Sequence, residues 1–236
     1  MESTREPIRI STMLFVLLAL SGMARAQAGL HFGAVITPNS VWIINQNAYG
    51  DKEFEYKSDF GAAFGLNIGY NLNDHFGLQL EMKSSDQGQK YDDPQTNLTR
   101  QVKLNYLVFP IMFRYSGGDG NPKFYATLGW QYGLLTKARL MGNYAGSADT
   151  SFIATNRFTK NDPGINFGLG ADITLTDFLY LSAGIEFTYG YADLNDNTDL
   201  KGPMNPGWRV PHHGIYKQSN NATGGLKLGI HYLLQR

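Results

Sequence analysis

The 236-residue sequence contains no cysteine, few charged side chains and no excess charge of either sign. The absence of cysteine excludes disulfides and thiolate chemistry, so covalent cross-links do not stabilise the fold. Charged residues make up 17% of the chain, and 20 acidic side chains balance 20 basic ones. This balance excludes the basic footprint of a nucleic-acid-binding protein, and we expect no nucleic-acid partner.

Long apolar runs are also scarce, and the one that stands out lies near the amino terminus. It covers residues 10–20, follows Arg5 and Arg9, and precedes Ala24-Arg25-Ala26. The run is shorter than the ~20 residues of a membrane-spanning helix, and the small residues behind it fit a cleavage site. We therefore predict a signal peptide over residues 1–26, cleaved between Ala26 and Gln27, and one domain over residues 27–236.

The sequence is instead rich in glycine, tyrosine and phenylalanine, and these residues alternate. Between residues 60 and 72, every even position is apolar, from Phe60 to Leu72, and every odd position is glycine, alanine or asparagine. Successive side chains of a strand point to opposite faces, so this segment predicts a strand with one apolar and one small or polar face. Comparable segments cover residues 30–36, 76–83, 102–115, 124–134, 165–175, 179–191 and 226–234.

The connections between these eight segments alternate in length. Short ones near residues 71–75, 116–122 and 174–177 contain turn residues, and long ones cover residues 37–58, 84–100, 139–161 and 192–220. Outer-membrane barrels have short periplasmic turns and longer extracellular loops. The fold class we predict is all-β, an eight-stranded antiparallel transmembrane up-and-down β-barrel in the outer membrane, with both termini periplasmic.

The fourth segment breaks the alternation. Val102, Leu104 and Tyr106 follow one frame, and the apolar residues from Leu107 to Tyr115 follow the other. A change of frame requires one extra residue, so we predict a β-bulge near Tyr106–Leu107.

Two soluble folds also show alternation, a β-sandwich and a ligand-binding barrel. Either would bury the apolar stripe and leave the second face on the surface. That face is mostly glycine, whereas soluble surfaces are rich in charged residues. The regular long strands and the alternating connections favour the membrane barrel.

Polar side chains on the inward face predict a network in the lumen. An eight-stranded barrel is just wide enough for side chains to fill its interior, and buried charges must be matched. Register arguments place Glu186 beside Lys227, and Glu81 beside Lys103. We expect a structural ion-pair plug, with a narrow channel for ions or protons as the alternative. The network we predict comprises Glu81, Lys83, Lys103, Gln131, Asp172, Glu186, Lys227 and His231.

Catalytic and metal-binding motifs are incomplete. A membrane-barrel hydrolase, the less favoured alternative, requires serine, histidine and carboxylate together. His212 and His213 lie in the last long loop without an obvious nucleophile. The segment from Asp193 starts like a calcium loop but lacks its glycine and its final glutamate. We predict no enzyme activity, no cofactor and no metal.

Aromatic residues in the long loops are candidates for recognition of a protein or glycan. Aromatic side chains are enriched at recognition surfaces, although the same residues could equally pack the loops onto the barrel rim. The residues concerned are Trp42, Tyr49, Tyr56, Tyr144, Trp208 and Tyr216.

Residues 103–115, KLNYLVFPIMFRY, followed by FYATLG at 124–129, resemble a segment of the PorT-like outer-membrane barrels, a branch of the OmpA-like small barrels. The stretches 168–171 and 184–190 are similar to the closing half of that family. The resemblance implies insertion by the barrel-assembly machinery, contact with outer-membrane lipid and lipopolysaccharide, and an accessory role in type IX protein secretion as one alternative to a structural or recognition role. The chain departs from such barrels at its end, where Tyr232 stands in for a terminal aromatic residue.

Overall fold

The computed structural model describes residues 29–45, 55–94, 97–118, 120–142, 150–194 and 217–234. Within these ranges the chain forms ten strands and one 3-10 helix of three residues, Thr155–Arg157. The predicted signal peptide lies outside the described residues. The strands are β1 (Gly29–Asn45), β2 (Glu55–Lys57), β3 (Asp59–Asn71), β4 (Phe76–Asp93), β5 (Leu98–Gly117), β6 (Lys123–Gly142), β7 (Thr150–Ile153), β8 (Asn161–Thr176), β9 (Leu179–Gly190) and β10 (Ser219–Leu234).

Eight of these strands close into a ring. Their order is β1, β3, β4, β5, β6, β8, β9 and β10, and β10 pairs with β1 to complete the ring. Every pairing is antiparallel, which confirms the predicted all-β up-and-down barrel. The short strands β2 and β7 lie outside the ring, and each pairs antiparallel with one end of a ring strand, β2 with β4 and β7 with β6.

The register fixes the tilt of the barrel. A path of directly opposed residues that starts at Phe32 returns to β1 at Trp42, ten positions further along the strand. For eight strands this stagger corresponds to a tilt of about 40–45° and to an interior that side chains can fill. Between these two residues the path passes through Ile68, Leu80, Ile111, Trp130, Ile165, Tyr189 and Ala222.

The two ends of the barrel differ. At one, which we call the short-turn end, residues 72–75, 118–122 and 177–178 connect the strands, and β1 begins and β10 ends. At the other, the hairpin end, strands continue well past the predicted boundaries. The long loop predicted at residues 84–100 is wrong in this respect, because β4 runs to Asp93 and β5 starts at Leu98.

The outward face of the barrel is an apolar band. Its middle contains residues such as Leu66, whose side chain is 62% exposed, and Ile185. Aromatic side chains border the band at both ends, as in transmembrane barrels. Towards the hairpin end, Trp130 donates a hydrogen bond to the hydroxyl of Tyr191 over 2.8 Å. Within the described ranges, no helix is long and apolar enough to cross a membrane.

A β-bulge lies close to the predicted position, because the register between β5 and β6 shifts between Asn105 and Tyr106, but the extra residue is on β6 and not on β5. Even-numbered residues of β5 point inward without interruption from Val102 to Arg114. The extra residue is Thr136, which has no residue opposite it. Its hydroxyl donates a hydrogen bond to the carbonyl of Asn105 over 2.8 Å, and this bond fixes the extra residue in place.

The interior changes from polar to apolar towards the hairpin end. There, inward side chains of several strands form one buried apolar cluster, the cap cluster. Burial of apolar surface stabilises this end at about 25 cal/mol per Å². The cap cluster comprises Ile43, Tyr91, Val102, Leu104, Tyr106, Val108, Leu135, Ala138, Leu140, Ala154, Phe158 and Leu194.

Candidate functional site

The central feature of the lumen is a square of four charged side chains, the lumen quartet: Glu81, Lys83, Glu186 and Lys227. Lys227 Nζ lies 2.5 Å from Glu81 Oε1 and 2.6 Å from Glu186 Oε2. Lys83 Nζ lies 2.5 Å from Glu186 Oε1 and 3.0 Å from Glu81 Oε2. Each cation therefore touches both carboxylates, and the two positive and two negative charges cancel.

The position of the quartet explains why its charges must be matched. The four side chains are no more than 8% exposed. Glu186 is the inward neighbour of Ile185, in the middle of the apolar band. Bringing unpaired charges into such an environment costs several kcal/mol per ion. Loss of one charge of the quartet would therefore leave an unmatched buried charge and destabilise the barrel.

A second ion pair lies nearer the short-turn end. The Arg114 guanidinium contacts the Asp172 carboxylate, and it lies over the ring of Tyr125 at 3.9 Å from the ring centre. Gln79 connects this pair to the quartet, because its amide donates to Glu81 over 2.6 Å while its oxygen faces Arg114 at 3.5 Å. The two charged groups are thus parts of one network.

Histidine and tyrosine rings fill the space beside this network. His231 stacks on Tyr180 with the ring centres 4.6 Å apart, and His31 meets His231 edge-on at 6.0 Å. Asn67 donates to Nδ1 of His231 over 3.1 Å, and Nε2 of the same ring is 2.8 Å from the Ser182 hydroxyl. These contacts hold the ring in one orientation.

Inward glycines provide the room for these rings. A β-carbon at Gly69 would lie 2.3 Å from Nε2 of His31, and one at Gly170 would lie 2.6 Å from the Tyr125 hydroxyl. Real β-carbons do not approach other atoms so closely. The inward glycines therefore form the surface against which large polar side chains pack. The lumen is filled at these positions by those side chains.

The structure places most of the predicted network in the lumen. Glu186 and Lys227 are in contact, as the register argument predicted, and Asp172 and His231 belong to the groups described above. Gln131 is buried on β6, further towards the hairpin end.

The prediction for Lys103 is wrong. Its side chain is exposed on the outer face of β5, opposite Gly88 and Arg139, and Glu81 pairs with Lys83 and Lys227 instead. The error has a physical cause: the apolar residues Val102, Leu104 and Tyr106 point inward into the cap cluster, so alternation alone assigned the wrong face.

Sequence reasoning missed two lumen residues, His31 and Arg114. Both follow the inward frame of their strands, between the outward residues Leu30 and Phe32 and between Phe113 and Tyr115. That frame was the available signal. The partner of Arg114, Asp172, lies on a strand that is not its neighbour, and only the closed barrel brings the two together.

The predicted recognition aromatics divide into two sets. Tyr49, Tyr144, Trp208 and Tyr216 lie outside the described residues, as do His212 and His213. Trp42 and Tyr56 are described, and their placement in loops is wrong because both lie on strands. Trp42 is on the outer face of β1. Tyr56 is on β2, where its hydroxyl donates to the Asn45 carbonyl over 2.8 Å.

The described part of the chain contains no group of three or more histidine, cysteine or acidic side chains placed to hold a metal ion. It does contain a polar cleft of about 300 Å³ at the tip of the β4–β5 hairpin. Carboxylate, amide and hydroxyl groups face this cleft, and they can exchange hydrogen bonds with a polar ligand. Its lining residues are Glu55, Lys57, Asp92, Asp93, Pro94, Asn97 and Thr99.

Comparison with protein families matches residues 15–199 to the outer membrane protein beta-barrel domain. The chain belongs to this family. It is therefore an outer-membrane barrel, and the coarse identification as a small outer-membrane β-barrel holds. The PorT-like branch is not identified by this match, and the link to type IX secretion stays a prediction.

Solved structures similar to this barrel include three bacterial outer-membrane proteins. OprG from Pseudomonas aeruginosa is 14% identical, with a TM-score of 0.50 over 89% of this chain and 97% of that one. Ail, the attachment invasion locus protein of Yersinia pestis, is 14% identical, with a TM-score of 0.40 over 86% and 98%. The Neisserial surface protein A is 14% identical, with a TM-score of 0.43 over 86% and 96%. At such identities the likeness concerns the fold alone. No curated protein sequence matches the chain.

Proposed function

We propose that this barrel conducts no solute and acts through its extracellular hairpin end, as a non-enzymatic recognition or structural protein. The observation that carries the proposal is the filled lumen. The Arg114–Asp172 pair, the lumen quartet and the cap cluster follow one another along the barrel. Eight strands leave no room for a solute beside such side chains.

In the proposed orientation the short turns and both termini face the periplasm and the hairpins face outward. Family barrels with short turns at one end and long connections at the other have this arrangement. The outward Tyr232 supports insertion by the barrel-assembly machinery, because it packs against Phe32 and Phe178 at 5.4 Å and so forms part of the aromatic border.

The polar cleft at the β4–β5 tip is the proposed point of recognition. Its acidic, amide and hydroxyl groups suit a hydroxyl-rich ligand such as a glycan, or a polar protein surface. Tyr56 supports the cleft from behind, since its ring packs against Tyr91 at 5.2 Å and its hydroxyl is bonded to Asn45.

Two measurements test this function. In planar bilayers, the folded barrel should show no stepwise conductance, because the quartet and the cap cluster obstruct the lumen. On a glycan array, the folded barrel should bind, and Asp92→Asn with Asn97→Ala should lose the signal, whereas Lys123→Gln at the short-turn end should not. Regular conductance steps together with a blank array would contradict the proposal and favour the narrow channel.

A further inference from the structure

The outer face of β5 and β6 changes from apolar to cationic at one level of the barrel. On β5 the outward apolar series ends at Leu107, and the next outward residues are Asn105 and Lys103. On β6 the corresponding series ends at Leu134, and beyond the bulge the outward residues are Lys137 and Arg139. This level is the edge of the apolar band at the hairpin end, where lipid headgroups begin.

Three cations meet at this edge, and we call them the rim cations: Lys103, Lys137 and Arg139. Lys103 lies directly opposite Arg139, and Lys137 lies opposite Asn105. Lys103 and Arg139 are exposed and Lys137 is half-buried. Like charges directly opposite each other on neighbouring strands destabilise a sheet, so this arrangement is unfavourable unless an anion neutralises it.

In the part of the chain that the structure describes, the rim cations form no salt bridge with the protein itself. Within the described residues, none of them has a carboxylate oxygen within 4.0 Å, and the salt bridges of the hairpin end involve other side chains. The nearest outward carboxylate on β4, that of Asp86, already accepts a hydrogen bond from the amide of Asn105.

The bulge at Thr136 creates the cluster. If β6 alternated regularly through Thr136 instead of forming a bulge, Ala138 and Leu140 would point outward, and Lys137 and Arg139 would point into the cap cluster. Bulges occur where a strand must re-aim its side chains. Here the bulge buries two apolar residues and turns two cations outward in one step.

We propose that the rim cations bind a phosphate group of a phosphorylated lipid in the outer leaflet. The proposal rests on the orientation proposed above. Arginine and lysine are the usual ligands of phosphate, and arginine can engage two of its oxygens at once. Below the cations, Leu107 and Leu134 offer an apolar surface to the acyl chains, and beside Arg139 the side chain of Ile153 is 68% exposed. A lipid phosphate has the negative charge that these cations require, and it lies at the same depth, just beyond the apolar band.

The experiment compares full-length barrels in phosphatidylcholine nanodiscs by binding of lipid A with and without its phosphates. Lys103→Gln with Arg139→Gln should weaken binding of phosphorylated lipid A by roughly tenfold or more, because both substitutions remove charge-assisted hydrogen bonds to the phosphate, which are stronger than neutral ones. Lys123→Gln removes a cation at the short-turn end, outside both the rim cations and the polar cleft, and it should leave binding unchanged.

Equal binding by the double variant and the wild type, or equal binding of dephosphorylated lipid A, would overturn the proposal. So would full competition by inorganic phosphate at the concentration of the lipid, because the site would then hold a soluble anion. Unheated gel mobility confirms that each variant is folded. Nanodiscs present lipid to both ends of the barrel, so a negative result contradicts the lipid site and does not depend on the orientation. Protease access to the hairpins on whole cells tests the orientation separately.

Discussion

At the scale of single residues, the charges of the lumen are arranged in matched sets. Each lysine of the quartet contacts two glutamates, so no pair can be removed without affecting the other two side chains. Such a network is weak evidence for stability by itself, because desolvation opposes the attraction. Removing one charge and leaving its partner buried, in contrast, should lower the free energy of unfolding strongly.

Lys227→Met should therefore destabilise the barrel by about 3–5 kcal/mol, because Glu81 and Glu186 would face Lys83 alone. Adding Glu186→Gln should recover a substantial part of the loss, since Glu81 and Lys83 would remain as a matched pair. Unfolding in urea, followed by gel mobility in folded and unfolded forms, measures both changes. The exposed Lys160→Met is the control and should stay within about 0.5 kcal/mol of the wild type. A double variant that is simply the sum of its two single changes would argue against the network.

At the scale of strands, alternation was informative only where one face meets lipid and the other meets a polar lumen. Strand β3 fulfils this condition throughout, and its two faces could be assigned from the sequence. Strand β5 does not, because beyond the apolar band its inward face is apolar and its outward face polar. The pattern inverts while the backbone frame continues, and this inversion resembles a bulge in the sequence.

The limits of the apolar band also predict how strongly a new outward charge destabilises the barrel at different depths in the membrane. Leu66→Arg, in the middle of the band, should destabilise the folded barrel by about 2–4 kcal/mol. Ile153→Arg exposes the same new charge at an equally exposed apolar position, but β7 lies beyond the band, and the cost there should be about 0–1 kcal/mol. Refolding into lipid vesicles across a urea series gives both values. Equal costs at the two positions would show that the band does not lie where the aromatic borders place it.

At the scale of the whole molecule, closure brings together residues that no local pattern connects. Arg114 on β5 contacts Asp172 on β8, and the quartet joins Lys83 on β4 to Glu186 on β9 and Lys227 on β10 to Glu81 on β4. The inward frame of each strand was predictable, whereas the contacts across the lumen depend on the ten-residue stagger of the complete ring. For this reason the candidate network was largely correct in membership, and its pairing beyond Glu186 and Lys227 was not.

The measurement that tests closure most directly is a cross-link between the first and last strands. The chain has no cysteine, so Ile36→Cys with Leu228→Cys introduces one unambiguous pair at directly opposed outward positions. In a closed barrel, mild oxidation should join them in the membrane-inserted protein, and the cross-linked chain should keep a distinct gel mobility after heating. The offset pair Ile36→Cys with Leu226→Cys should cross-link far less. Absence of the bond at positions 36 and 228 in folded, membrane-inserted protein would contradict a closed barrel.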